Sequence, residues 1–303
     1  MTRTSETVVF FGSGPVAAES LALLAQWASI EAVVTKPKPA HHKGSFPVLE
    51  TAERLGLQVL PVTDKRSLDT LFASRPVKSR VGVLVDFGII VSQAVIDYFP
   101  LGIINSHFSI LPEWRGADPI SFAILSGQDM TGVSTMLLVA GLDEGPLLGY
   151  GEQPLDGTET TPELTQKLIL LSDALLQHDV PRHLAEQTNG VPQTITGREV
   201  SYSRKLTKAD GTLNFAKPAR QLEREVRAYA EWPKSRTTIG KLPVVINKAR
   251  VLSGEGQPGS LYRSGKELGF YTSDGIFIID TLTPAGKKPM SAASFLAGYG
   301  QQL

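Results

Sequence analysis

The chain has 303 residues, 42% of them hydrophobic and 20% charged, a balance that suits a globular protein with room for two cores and excludes disorder or a fibrous repeat. It contains no cysteine, which excludes thiol nucleophiles, disulfides and cysteine-based zinc sites. The formal charge is zero, yet residues 1–200 carry 14 Lys and Arg against 22 Asp and Glu, a net of −8, while residues 201–303 carry 16 against 8, a net of +8. An acidic front joined to a basic back implies two tasks, the second involving a polyanion. No signal peptide is expected before the first apolar run, and the longest such run, Val81 to Ile96, is broken by Asp86, Gly88, Ser92 and Gln93. The expectation is a cytoplasmic protein without a membrane span.

The predicted elements alternate strand and helix. Val8–Phe11 is an apolar strand ending in the turn Gly12-Ser13-Gly14, and Val16–Ala28 follows with Leu21, Leu24 and Ala28 at helical spacing. Ala32–Val34 is the next strand. Pro47 to Leu55 is a helix opened by proline and closed by Gly56, and Gln58–Leu60 a strand. Val81–Val85 is a buried strand, Ser92 caps a helix through Tyr98, and Gly102–Ser106 is a strand. A helix starts at Asp118-Pro119 and runs to Leu125, Gly132–Val139 is a strand, and Thr161-Pro162 opens a long helix to Ala185. This alternation predicts an α/β fold with a doubly wound, mostly parallel Rossmann-like sheet, whose ligands sit beyond the carboxyl ends of the strands.

From residue 186 the chain reads as extended, and boundaries are drawn at 1–188 for a catalytic domain, 189–206 for a linker and 207–303 for a second domain. Beyond the linker come one helix, Pro218–Ala230, and short strands at Arg236–Ile239, Pro243–Leu252, Gly259–Tyr262, Leu268–Tyr271 and Ile276–Leu282. These predict a small β-barrel of the oligonucleotide-binding type.

Chemistry concentrates in Asn105-Ser106-His107-Phe108-Ser109-Ile110-Leu111-Pro112 and in Gly141-Leu142-Asp143-Glu144-Gly145. Asn105, His107 and Ser109 alternate, so extended backbone turns all three to one face. Histidine exchanges protons near neutrality, and Asp143 in a glycine-flanked turn is placed to orient it. A serine hydrolase is disfavoured, because no Gly-x-Ser-x-Gly elbow exposes Ser109. The Gly12-Ser13-Gly14 turn lacks the acidic residue that a dinucleotide site needs, since the second strand ends in Thr35-Lys36. His41-His42 has no third ligand nearby, and no metal is expected. The loop Lys36–Lys43 reads instead as an exposed basic segment. Arg220, Arg224 and Arg227 form a basic stripe on the second domain's helix, opposite Leu222, Val226 and Tyr229.

The segment from Asn105 through Glu113-Trp114-Arg115-Gly116-Ala117-Asp118-Pro119-Ile120 resembles the signature of the folate-dependent formyltransferases. So do Thr131–Met136 and Gly141–Gly145. Tyr202-Ser203-Arg204-Lys205-Leu206-Thr207-Lys208, Trp232-Pro233 and Pro284–Met290 resemble the branch acting on methionyl-tRNA. Departures are a short loop at Lys36–Phe46 without arginines, Pro146 in place of an acidic residue, and Phe87-Gly88 where Tyr-Gly is usual.

The resemblance implies transfer of the formyl group of 10-formyltetrahydrofolate to the methionyl α-amine of initiator tRNA. Asn105 and His107 would stabilise the oxyanion, and Asp143 would orient His107 and assist proton transfer. The same chemistry on a sugar amine is the alternative. The resemblance also implies that Ser109, Ile110, Leu111, Pro112, Asp86, Phe87, Gly88, Ile89 and Ile90 line the folate. For tRNA the implied contacts are Lys36, Lys38, Lys43, Arg204, Lys205, Lys208, Arg220, Arg224 and Arg227. A monomer is expected.

Overall fold

A computed structural model describes residues 6–38 and 44–302. Its backbone divides into two compact units: residues 1–116, 130–154 and 165–202 make the first, and 117–129, 155–164 and 203–303 the second.

The first unit is built on a seven-stranded sheet. In chain order its elements are β1 (Thr7–Phe11), α1 (Pro15–Trp27), β2 (Ser29–Thr35), α2 (Pro47–Arg54), β3 (Val59–Pro61), α3 (Lys65–Ala73), β4 (Val81–Leu84), α4 (Gln93–Tyr98), β5 (Ile103–His107) and the two-residue β6 (Arg115–Gly116). After α5 (Pro119–Ser126), which belongs to the second unit, come β7 (Met130–Leu137), β8 (Leu147–Pro154) and the long α6 (Thr161–Leu184). The sheet order is β3-β2-β1-β4-β5-β7-β8. The first five strands are parallel; β7 runs antiparallel to β5, and β8 to β7.

Apolar runs explain the parallel part. Residues Val8 to Phe11 are fully buried, as are Val81 and Val83, because helices cover both faces of such a sheet. The predicted spacing on α1 holds: Leu21 and Leu24 are fully buried and Ala28 nearly so. Phe11 packs edge-on to Phe87 and Phe99 at 5.5 and 5.8 Å.

Besides the two-residue β6, two elements of this unit go beyond the predicted set. Helix α3 opens with a reciprocal cap between Asp64 and Ser67 and buries only Leu68 and Phe72, too short an apolar stripe to read as periodic. Strand β8 lies at the sheet edge and contains Gly149 and Gly151, so its alternation is weak.

In the second unit, after β9 (Tyr202–Ser203), come α7 (Ala219–Ala228), β10 (Ser235–Ile239), β11 (Leu242–Leu252), β12 (Leu261–Ser264), β13 (Glu267–Tyr271), β14 (Ile276–Pro284), β15 (Met290–Ser291) and α8 (Ala292–Tyr299). The strands form one antiparallel sheet in the order β10-β11-β14-β13-β12, with β15 added beside β14. This is the barrel-like domain the sequence predicts, with β15 and α8 in addition. Its core gathers Leu222 and Val226 of α7 with Ile246, Leu268, Phe277, Leu282 and Phe295. Burying an aliphatic side chain of this size stabilises by about 1.5–3 kcal/mol.

Candidate active site

Strand β5 lies between parallel β4 and antiparallel β7, with Asn105 opposite Met136 and His107 opposite Ser134. It ends at His107. Asn105 and His107 are buried at 6% and 7% exposure, at the carboxyl edge where open α/β sheets hold their ligands.

Beyond β5 the chain turns sharply. Ser134 Oγ donates to Ser109 O at 2.8 Å and accepts from Leu111 N–H at 2.9 Å, pinning the turn from β7. The Leu111–Pro112 peptide is cis. Trp114 sits at φ 56°, a left-handed conformation that costs a bulky residue about 1–3 kcal/mol and persists only where its surroundings fix it. They do: Trp114 N–H donates to Ser201 Oγ at 2.9 Å, and Arg115 N–H to Ser201 O at 3.0 Å.

That turn aims the Trp114 carbonyl at His107 Nε2, 2.9 Å away. A carbonyl only accepts, so Nε2 carries a hydrogen. The exchangeable nitrogen is therefore Nδ1, which faces Asp143 Oδ2 at 3.8 Å.

Asp143 stands at φ 51°, a conformation that aspartate tolerates. Its turn is closed by Gly145, where a Cβ would lie 1.7 Å from Leu137 O, so no other residue fits. Asp143 Oδ2 accepts from Gly116 N–H at 2.7 Å, and Oδ1 faces Asn105 Nδ2 at 3.5 Å. Asn105, His107 and Asp143 thus meet. The arrangement offers an amide donor, an imidazole nitrogen and a carboxylate at one point, a set suited to stabilising an oxyanion and moving a proton.

Ser109 departs from the predicted face. Because the strand ends at His107, the Ser109 side chain turns inward and donates to Glu113 O, with no exposed surface. Ile110 and Leu111 are equally buried, so these three side chains form the floor of the turn and not an open ligand wall.

In the Asp86–Ile90 loop, Asp86 and Gly88 are left-handed, at φ 45° and 66°. Asp86 O accepts from Ser13 N–H at 3.0 Å, so the Gly12-Ser13-Gly14 turn packs on this loop. Phe87 belongs to the core beside Phe11, whereas Ile90 is 77% exposed. Gly88 O accepts from Lys36 Nζ at 3.4 Å. Lys38 is exposed, and Lys43, with His41-His42, lies outside the described residues. Among the described residues no cluster of ligands could hold a metal.

The basic stripe on α7 divides. Arg220 is exposed. Arg224 Nη1 donates to Ser126 O at 3.3 Å, and its guanidinium lies against Gly127. Arg227 pairs with Glu223 at 2.7 Å and donates to Glu159 O at 2.9 Å, leaving 13% of its side chain exposed. Two of the three arginines therefore secure the second unit's own fold. Arg204 pairs with Asp210, while Lys205 and Lys208 are exposed.

The sequence reading missed Trp114 and Gly116, which act through backbone atoms that no side-chain pattern reveals. It also missed Gln193 and Ser201, which lie in the stretch read as linker.

Two family models match, the formyl transferase over residues 8–178 and the formyl transferase C-terminal domain over 205–300. Methionyl-tRNA formyltransferase of Myxococcus xanthus is 34% identical over 297 residues, covering 96% of this chain and 95% of the relative. That of Pelobacter propionicus is 34% identical over 307 residues, covering 97% and 94%.

The chain belongs to the methionyl-tRNA formyltransferase family.

It is a formyltransferase, and the comparison with solved structures shows the same fold. An N-formyltransferase from Helicobacter canadensis, solved with folinic acid and dTDP-3-aminofucose, superposes with a TM-score of 0.68 at 17% identity, covering 92% of this chain and 98% of that one. HypX from Aquifex aeolicus in complex with tetrahydrofolic acid gives 0.63 at 15% identity, covering 96% of this chain and 47% of that one. Among the described residues no helix is long and apolar enough to cross a membrane.

Proposed function

We propose that the enzyme transfers the formyl group of 10-formyltetrahydrofolate to the α-amine of methionine carried by initiator tRNA, in the cytoplasm and as a monomer. The observation that carries this reading is the meeting of Asn105, His107 and Asp143, with Asp143 held by Gly116 N–H at 2.7 Å and facing His107 Nδ1 at 3.8 Å. The acceptor follows from the near full-length relatives named above and from the +8 charge of residues 201–303.

In this reaction the amine nitrogen forms a bond to the formyl carbon, and the bond from that carbon to the folate N10 breaks. Asn105 Nδ2 donates to the carbonyl oxygen as it turns negative, and His107 Nδ1–H, in the imidazolium, supplies the second donor. One oxyanion donor is worth about 3–4 kcal/mol. Asp143 fixes the imidazole and takes part in moving the proton lost by the amine to N10. No covalent intermediate with the protein is required. Ser109, Ile110, Leu111 and Pro112 would support the folate through backbone and floor, and the Asp86–Ile90 loop through its exposed edge. Lys36, Lys38, Lys43, Lys205, Lys208, Arg204 and Arg220 would contact tRNA, with Arg224 and Arg227 in a supporting role.

The test is formylation of methionyl-tRNA with 10-formyltetrahydrofolate, run beside nucleotide-sugar amines. Formyl-methionyl-tRNA is the expected product. Turnover confined to the sugar amines would overturn the acceptor and leave the donor chemistry in place.

A further inference from the structure

Asp143 is placed by its backbone. Its carboxylate has one short hydrogen bond, from Gly116 N–H, and the contacts to Asn105 and His107 are longer. What fixes the carboxylate is therefore the turn Gly141–Gly145, and a side chain from outside that turn holds its backbone.

That side chain is Gln193, in the short 3-10 turn Gln193–Thr196, and only 6% exposed. Its Nε2 donates to Asp143 O at 2.7 Å and to Gly145 O at 2.9 Å. Its Oε1 accepts from Arg115 Nη2 at 2.7 Å and from Nε at 3.2 Å. A glutamine amide has two N–H donors and an oxygen with two lone pairs, so every position is used. Flipping the amide would set N–H against guanidinium and oxygen against two carbonyls, so only this orientation fits. Arg115 Nη1 continues the network to Glu144 Oε1 at 3.2 Å.

Residues following Gln193 hold the other half of the site. Thr196 Oγ1 donates to Leu111 O at 3.0 Å, Arg198 pairs with Glu113 at 3.1 Å, and Ser201 takes the backbone of Trp114 and Arg115. The stretch 193–201 thus braces both the turn that bears Asp143 and the one whose carbonyl fixes His107.

We propose that Gln193 is a positioning residue for formyl transfer: it locks the Asp143 turn so that the carboxylate faces His107 Nδ1. This rests on the reading of Asp143 as the reaction's carboxylate. Gln193 touches none of the reacting atoms. Its loss acts through displacement, and a misplacement of about 1 Å costs roughly a hundredfold in rate.

Two substitutions test it. Gln193→Glu keeps an oxygen for Arg115, which preserves the local fold, but loses both N–H donors and sets a charge against two carbonyls. Gln193→Met keeps length and removes all four hydrogen bonds. Thr194→Ala, at the exposed neighbour, is the control. Initial rates with methionyl-tRNA and 10-formyltetrahydrofolate should show kcat reduced about 10- to 100-fold in both Gln193 variants. KM for the folate should stay near wild type and the pH–rate profile should shift.

A cycle with Asp143→Asn separates positioning from general damage, because residues acting through one another are non-additive. Gln193→Glu should cost little further once Asp143 is gone. Wild-type kcat in the Gln193 variants overturns the proposal, as does an equal loss with and without Asp143. Wild-type turnover in Asp143→Asn alone would instead overturn the reading of the site itself.

Discussion

Charge is used in opposite ways in the two units. In the first, one carboxylate is fixed by backbone: Asp143 hangs from Gly116 N–H, in a turn closed by Gly145 and tied by Gln193. In the second, long cationic side chains carry the positive excess, and much of it is already committed. Arg227 is tied to Glu223 and Glu159, Arg224 to Ser126, and Arg204 to Asp210. A fixed lone charge acts at one atom, whereas a surface of cations acts through whatever charge the fold leaves over. The two halves should therefore fail differently when altered.

The sharpest break falls on the first unit. His107→Ala and Asp143→Ala should each lower formyl transfer by at least about a hundredfold, the usual range for acid–base groups. Asn105→Ala should cost about a hundredfold through the lost oxyanion donor. Thermal melts should move little beside these rates. Near wild-type turnover in any of the three would remove that residue from the mechanism.

This contrast also explains what was legible in the sequence. Asn105, His107 and Asp143 could be read because the proposed chemistry rests on their side chains and two of them share a strand face. Ser109 was misplaced because nothing in an alternating pattern marks where β5 ends; the Ser134 hydroxyl that pins the turn comes from another strand. The parallel core read well from its unbroken apolar runs, while β8 and α3 bury too few side chains to be periodic. Gln193 was invisible, since one glutamine in an extended polar stretch has no pattern. The stripe on α7 was drawn correctly as spacing, yet spacing does not say which arginines find partners within the fold.

The stripe yields the next test. Arg227→Ala should lower the melting temperature, because the Glu159 carbonyl loses its donor and a net hydrogen bond is worth about 1 kcal/mol. Arg220→Glu should leave the melt unchanged and weaken tRNA binding, with a shallower dependence on salt as one phosphate contact is lost. Filter binding across a salt series checks the second and a thermal melt the first. Equal loss of tRNA affinity with no change in stability for both would show that Arg227 faces the nucleic acid as Arg220 does.

The smallest effect concerns pH and belongs to two carboxylates of the second unit that are shifted in opposite directions. The Arg204 guanidinium, joined by the Thr207 N–H and hydroxyl, holds Asp210 well below the usual carboxylate range. Burial pushes Glu225 up, against the opposing pull of Lys217. Stability from Asp210 is present above its ordinary value of 3.8 and is lost as pH falls below it. Glu225 has the reverse sign. Above its ordinary value of 4.5 the unfolded chain releases the proton first, so stability falls as pH rises through the window up to the raised native value. Asp210→Asn should flatten the acid side of the stability curve below pH 3.8 and lower the plateau at neutral pH. Glu225→Gln, which still offers Lys217 an acceptor, should remove the decline that begins above pH 4.5. Melting curves followed by tryptophan fluorescence from pH 3 to 7 measure both slopes, and a Glu225→Gln curve parallel to wild type above pH 4.5 would show that Lys217, rather than burial, sets the charge of that carboxylate.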